Sequence, residues 1–138
     1  MTYKDIKHNE EVNELLKKGN QNLGLLGYTD HSQAHCVRVA ETAALIIGDK
    51  TDVRRSRVRE KPKASFDIHD RVNYAVTDQT LKLNPEKQVI SLNLQIDTDI
   101  CSMYEYFEIF LQRMLMCRGA ADLLGATFKL TANGAKVL

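Results

Sequence analysis

Histidine is scarce in this chain, so its four positions are the natural place to look for chemistry. His31 and His35 stand four residues apart, which on a helix puts both imidazoles on one face. Two such groups can hold a transition ion if a carboxylate joins them from elsewhere. His69 is followed directly by Asp70, a pair that could supply two ligands. Adjacent side chains diverge by about 100° on a helix and face opposite ways on a strand. The pair therefore converges on an ion only where other elements bring further ligands to it. His69-Asp70 stands at the entrance to an alternating, strand-like segment. It reads as a turn or a cap, with Asp67 or Asp70 accepting a backbone N–H.

The second chemical feature is basic. The run "DVRRSRVREK" carries Arg54, Arg55, Arg57, Arg59 and Lys61. Guanidinium forks match phosphate oxygens in pairs. Asp49, Asp52 and Glu60 offset that charge, so the run also reads as a solvated helix face. Cys36, Cys101 and Cys117 are odd in number and widely spaced. They form no zinc or redox motif and read as buried thiols in a reducing compartment. No glycine-rich phosphate loop and no Ser/His/Asp or Cys/His nucleophile arrangement is present.

A length of 138 residues bounds the chain to one domain or two small subdomains. With 43% hydrophobic and 27% charged residues it has the balance of an ordinary soluble protein. The formal charge of +1 supplies no global field toward nucleic acid or membrane, so neither is an expected partner and any basic patch is local. The N-terminus is polar and carries acids, unlike a signal peptide. The longest apolar run, Ala43 to Ile47, is too short for a bilayer. A cytoplasmic location is expected.

The periodicities predict an α+β fold. A helix is expected over 9–26, stopped by Gly27 and weakened at Gly19-Asn20. A second follows a cap at Thr29 or Asp30, placing His35, Val39, Ala43 and Ile46 on one face until Gly48 interrupts it. Polar helix or loop then runs to Pro62. From Arg71 to Ile96 the period is two. Tyr74 with Val76 and Leu81 with Leu83 fit one strand or two, and Ile90, Leu92, Leu94 and Ile96 form a half-buried strand beyond a turn at 84–87. Asp99 or Ser102 can cap a helix over 103–124 that ends at Gly125. Its apolar side comprises Tyr106, Phe107, Phe110, Leu111, Met114 and Met116. A last strand is expected over 127–132, with a turn at Asn133-Gly134. A helical part (1–65) thus precedes a β-β-α-β part (66–138). The helix over 103–124 is apolar on more than one face, which points to a dimer interface.

Two stretches carry a family resemblance. "LGYTDHSQAHCVRVAETAALI" resembles the first metal-binding helix of HD-domain phosphohydrolases, with His35, Val39 and Ala40 in the matching positions. "IIGDKTDVRRSRV" resembles that family's last conserved helix, with Asp49 and Lys50 matching. Residues 66–138 look like the β-β-α-β tail of one bacterial branch. The family's central His-Asp dyad should lie between the two stretches, yet "ETAALI" runs straight into "IGDK". His69-Asp70 follows Asp49 and is not that dyad. The chain thus resembles an HD protein shortened internally near 46–48.

The resemblance implies a divalent ion (Mn, Fe, Mg, Zn or Ni) held by His35 and Asp49, with His31 a further candidate. Lys50, Arg54, Arg55 and Arg57 would hold the phosphate of a small phosphorylated molecule. The implied activity is hydrolysis of a nucleotide or other phosphoester, impaired or absent here because the dyad is missing. The alternative is a non-catalytic oligomerisation or binding module. Removing the middle helices of a bundle exposes apolar faces, so a homo-oligomer is expected.

Overall fold

The computed structural model describes residues 3–59, 62 and 65–138. Three helices come first: α1 (Tyr3–Lys7), α2 (Glu10–Leu25) and α3 (Gln33–Thr51). A 3-10 turn at Arg55–Arg57 leads to α4 (Ile68–Ala75). Strands β1 (Val76–Asn84) and β2 (Val89–Ile96) follow, then α5 (Met103–Leu123), β3 (Thr127–Ala132) and the short β4 (Ala135–Lys136). The chain divides into two compact units, 1–42 and 43–138, with the division inside α3, whereas the sequence pattern changes at 65/66.

In the first unit the Asn9 side chain caps α2 by accepting the Val12 N–H at 3.0 Å. The helix then continues through Gly19 and Asn20 to the left-handed Gly27 beyond its end. The start of α3 falls later than expected. Ser32 Oγ accepts the His35 N–H at 3.4 Å, while Asp30 takes hydrogen bonds from the Ser32 hydroxyl and N–H. These bonds, the hydroxyl's first, hold the Asp30 carboxyl below its usual range. None of the residues whose burial is described in this unit is fully buried; Leu15, Leu25 and Leu26 lie open to solvent.

The second unit has the core. It is built on β2, whose alternate residues Ile90, Leu92, Leu94 and Ile96 all turn inward. β2 pairs antiparallel with β1 and parallel with β3, giving the order β1-β2-β3-β4. Leu92 sits between Leu81 and Leu130, and Ile90 between Leu83 and Phe128. The parallel pairing requires a crossover, which α5 supplies. α5 lays Tyr106, Phe110, Met114, Cys117 and Ala121 into the core, and α4 adds Val72 and Ala75. Ala43 and Ile47 at the end of α3 join the same cluster. Burial of this extent raises the Cys117 thiol to about 11.

Two sequence expectations are corrected here. Arg71–Ala75 is helix rather than strand: Asp67 and Asp70 form a capping box that starts α4, and Val72 and Ala75 are buried at helical spacing. Gly48 does not interrupt α3; it is exposed with nothing near it, so the helix absorbs the cost of about 1 kcal/mol and runs on to Thr51.

Ser102, one of the two expected caps, starts α5 through a second capping box. Its hydroxyl accepts the Glu105 N–H at 3.2 Å and its own N–H donates to Glu105 Oε2 at 3.0 Å. Arg71 of α4 donates to the other carboxylate oxygen at 2.6 Å. The bond from the Ser102 N–H, then those from its hydroxyl and from Arg71, hold the Glu105 carboxyl below its usual range.

The turn Asn133-Gly134 has φ of 48° and 80°, the left-handed pair that a two-residue hairpin of type I′ needs. Asn133 also clasps β2: its Oδ1 accepts the Ile96 N–H at 2.7 Å and its Nδ2 donates to the Ile96 carbonyl at 2.9 Å. The side-chain amide here stands in for a backbone peptide. Asn133→Gly keeps the backbone easy and removes both bonds. It is expected to lower stability by about 2 kcal/mol in urea unfolding; a loss under about 0.5 kcal/mol would mean that the clasp contributes nothing. Among the described residues the buried Tyr106 hydroxyl has no hydrogen-bond partner. Tyr106→Phe is therefore expected to raise stability by about 1 kcal/mol in the same measurement.

Candidate functional site

The dipeptide His69-Asp70 lies in the first turn of α4. Asp70 donates its N–H to Asp67 Oδ1 at 2.8 Å and accepts the Asp67 N–H on its own Oδ2 at 3.3 Å. His69 is exposed, and its carbonyl accepts from the Asn73 side chain. This is the cap anticipated from the sequence.

His31 and His35 do come together. Their rings meet edge to face with centroids 5.5 Å apart. Among the described residues no group of three or more His, Cys, Asp or Glu side chains is placed to hold a metal ion, so this pair gains no third ligand. Asp49 is on the same helix as His35, fourteen residues on, with α3 unbroken between them. At about 1.5 Å of rise per residue they are roughly 21 Å apart along the axis. Ligands on one ion stand about 2.0–2.2 Å from it, so His35 and Asp49 of one chain do not fit a shared metal. Asp49 is engaged elsewhere: Lys50 Nζ lies 2.6 Å from its Oδ2. The hydrogen bond from Lys50, then its charge, keep the Asp49 carboxyl below its usual range. Metal candidate and phosphate candidate thus neutralise each other.

The basic run is also largely engaged. Arg54 and Arg57 flank one carboxylate, Asp52, at 2.7 and 3.7 Å. Arg55 donates Nε to the Tyr74 carbonyl at 2.6 Å, stacks on the Tyr74 ring at 4.4 Å and faces Asp97 at 3.8 Å. Arg59 is exposed, and Lys61 lies outside the described residues. A cavity of about 440 Å³ opens beside Arg54, Arg55 and Ser56, with Asp78 and Gln79 of β1 across it. Arg54 is paired with Asp52, Arg55 faces Asp97, and Asp78 also lines the cavity, which makes it a poor trap for a phosphate dianion. The Arg55–Tyr74–Asp97 contacts had no sequence signal, because their members come from three separate elements.

A further surface feature is on α5. Beside its buried stripe runs a second apolar face, along a groove of about 440 Å³ lined by Met103, Tyr104, Phe107, Glu108 and Leu111. Tyr104 is 76% exposed although it belongs to the most apolar helix of the core. Aromatic groups held on a rigid helix with little around them are suited to recognising another protein surface. No helix among the described residues is long and apolar enough to cross a membrane.

No family model, no curated protein and no solved structure matches this chain.

A metal site that fits should reveal itself through stability. Binding at one hundred times the dissociation constant would add about 2.7 kcal/mol. With the His31/His35 pair alone to offer, millimolar Mn²⁺ is expected to leave the thermal midpoint unmoved. A rise of several degrees that His35→Ala removes would show that a site exists.

Proposed function

We propose that the chain is a shortened relative of the HD-domain phosphohydrolases without a working metal centre, acting as a non-catalytic assembly module. The relationship rests on the resemblance around His35, Val39 and Ala40 and around Asp49 and Lys50. The absence of catalysis rests on one observation: His35 and Asp49 are carried on a single unbroken helix. Nothing in that arrangement brings a bound water, a phosphoryl group and a Lewis acid to one point. Two features support the assembly role. The outer face of α5 is apolar and open, and the first unit leaves leucines uncovered that a larger bundle would bury.

The test is hydrolysis. Purified protein with Mn²⁺ and a chromogenic phosphodiester or phosphomonoester is expected to show no turnover above buffer, with His35→Ala and Asp49→Ala equally silent. Turnover that both substitutions abolish would overturn the proposal and restore a phosphohydrolase.

A further inference from the structure

The outer face of α5 has a symmetric order. At about 100° per residue, Tyr104, Phe107, Leu111, Leu115 and Arg118 fall within about 80° of arc. That arc lies about 100° round the helix from the buried stripe of Tyr106, Phe110, Met114 and Cys117. Tyr104 and Leu111 are exposed there, and Phe107 and Leu115 are half-buried. About Leu111 the positions are placed evenly, with Phe107 and Leu115 four residues to either side and Tyr104 and Arg118 seven. A second α5 laid antiparallel over the first, with the two-fold axis at Leu111, therefore sets Leu111 on Leu111, Phe107 on Leu115 and Tyr104 on Arg118. The last pair places a guanidinium against an aromatic ring, a favourable contact.

Charge selects the same arrangement. Glu108 and Arg118 are both exposed on α5, three residues before Leu111 and seven after it. In the antiparallel pair Glu108 lies about one helical turn from the point opposite the partner's arginine, within reach of two long side chains. In a parallel pair the glutamates would meet each other, and so would the arginines, which is repulsive. The acid and the base lie on opposite sides of the central leucine, so the face is complementary to itself. That is the requirement of a two-fold, isologous interface.

We infer that the occupant of this face is a second copy of the chain, docked through α5 in antiparallel register about Leu111. The inference deepens the assembly reading and rests on it. Aromatic and leucine side chains form the centre, and the Glu108–Arg118 pairs lie at the rim, where charge sets register more than affinity.

The experiment is sedimentation equilibrium of the full chain, with circular dichroism to verify folding. The wild type is expected to dimerise reversibly. Leu111→Glu places two carboxylates on the axis and is expected to yield a monomer with an unchanged spectrum. Glu108→Arg and Arg118→Glu are each expected to weaken association by about tenfold, and the double exchange to recover most of it. Register is read by disulfide trapping in a Cys36→Ser background, because Cys36 is the exposed thiol. Tyr104→Cys mixed with Arg118→Cys is expected to cross-link between the two variants. Cross-links confined to like variants would overturn the antiparallel register. A wild type that stays monomeric at about 100 μM, or a Leu111→Glu chain that dimerises as before, would overturn the interface. Phosphoester turnover would remove the non-catalytic reading and leave this pairing intact, so the two failures are distinguishable.

Discussion

One-sided burial of β2 is the constraint on which the rest of the second unit depends. Ile90, Leu92, Leu94 and Ile96 face inward, and the strand is hydrogen-bonded on both edges. Moving the register by a single residue would send all four to the polar face with Ser91, Asn93 and Gln95. Because β3 lies parallel to β2, the chain must leave the sheet and return, and α5 is the segment that does so. The helix's inner stripe is therefore dictated by β2 and β3. Its outer stripe is free to serve something else.

That division separates fold from function here. The buried residues of α5 account for why the helix exists, while Tyr104, Leu111 and Arg118 contribute nothing to the core described. Large exposed apolar groups on the same rigid element as the core are held at fixed spacing, which costs a partner little ordering entropy on docking. The first unit differs: Leu15, Leu25 and Leu26 are exposed and none of the residues whose burial is described there is fully buried, so it presents apolar surface without a comparable internal support.

Several of these features are legible in the amino-acid order and several are not. The alternation at 90–96, the serine cap and the glycine stop of α5 are local signals, and the structure has each where the pattern puts it. The segment 71–75 misleads because Tyr74 and Val76 stand two apart between the polar Asn73 and Thr77; the deciding signal is the Asp67–Asp70 box, which starts a helix there. Gly48 misleads for the opposite reason, since a lone exposed glycine weakens a helix by less than the packing of Ala43 and Ile47 around it supplies. β4 is only two residues long, below what any periodicity can show. The clasp of Asn133 on Ile96 spans thirty-seven positions and depends on β2 and β3 being neighbours, a tertiary fact. The candidate site follows the same rule. The histidine spacing and the excess of apolar residues on α5 are visible in the letters, but the pairing of Asp49 with Lys50 and of Asp52 with two arginines is not.

The same clasp bears on how the molecule ages. Asn133 precedes Gly134, the arrangement in which a following backbone nitrogen, unhindered by a side chain, most readily attacks the amide carbon, expels ammonia and leaves a carboxylate after hydrolysis. In the folded chain Oδ1 and Nδ2 are both committed to Ile96, so the amide is not free to turn toward that nitrogen. An unfolded chain has no such protection. Once converted, the carboxylate has no N–H to offer the Ile96 carbonyl, so one of the two bonds of the clasp is lost. Intactness of this one amide is thus a chemical record of how much time a given molecule has spent folded.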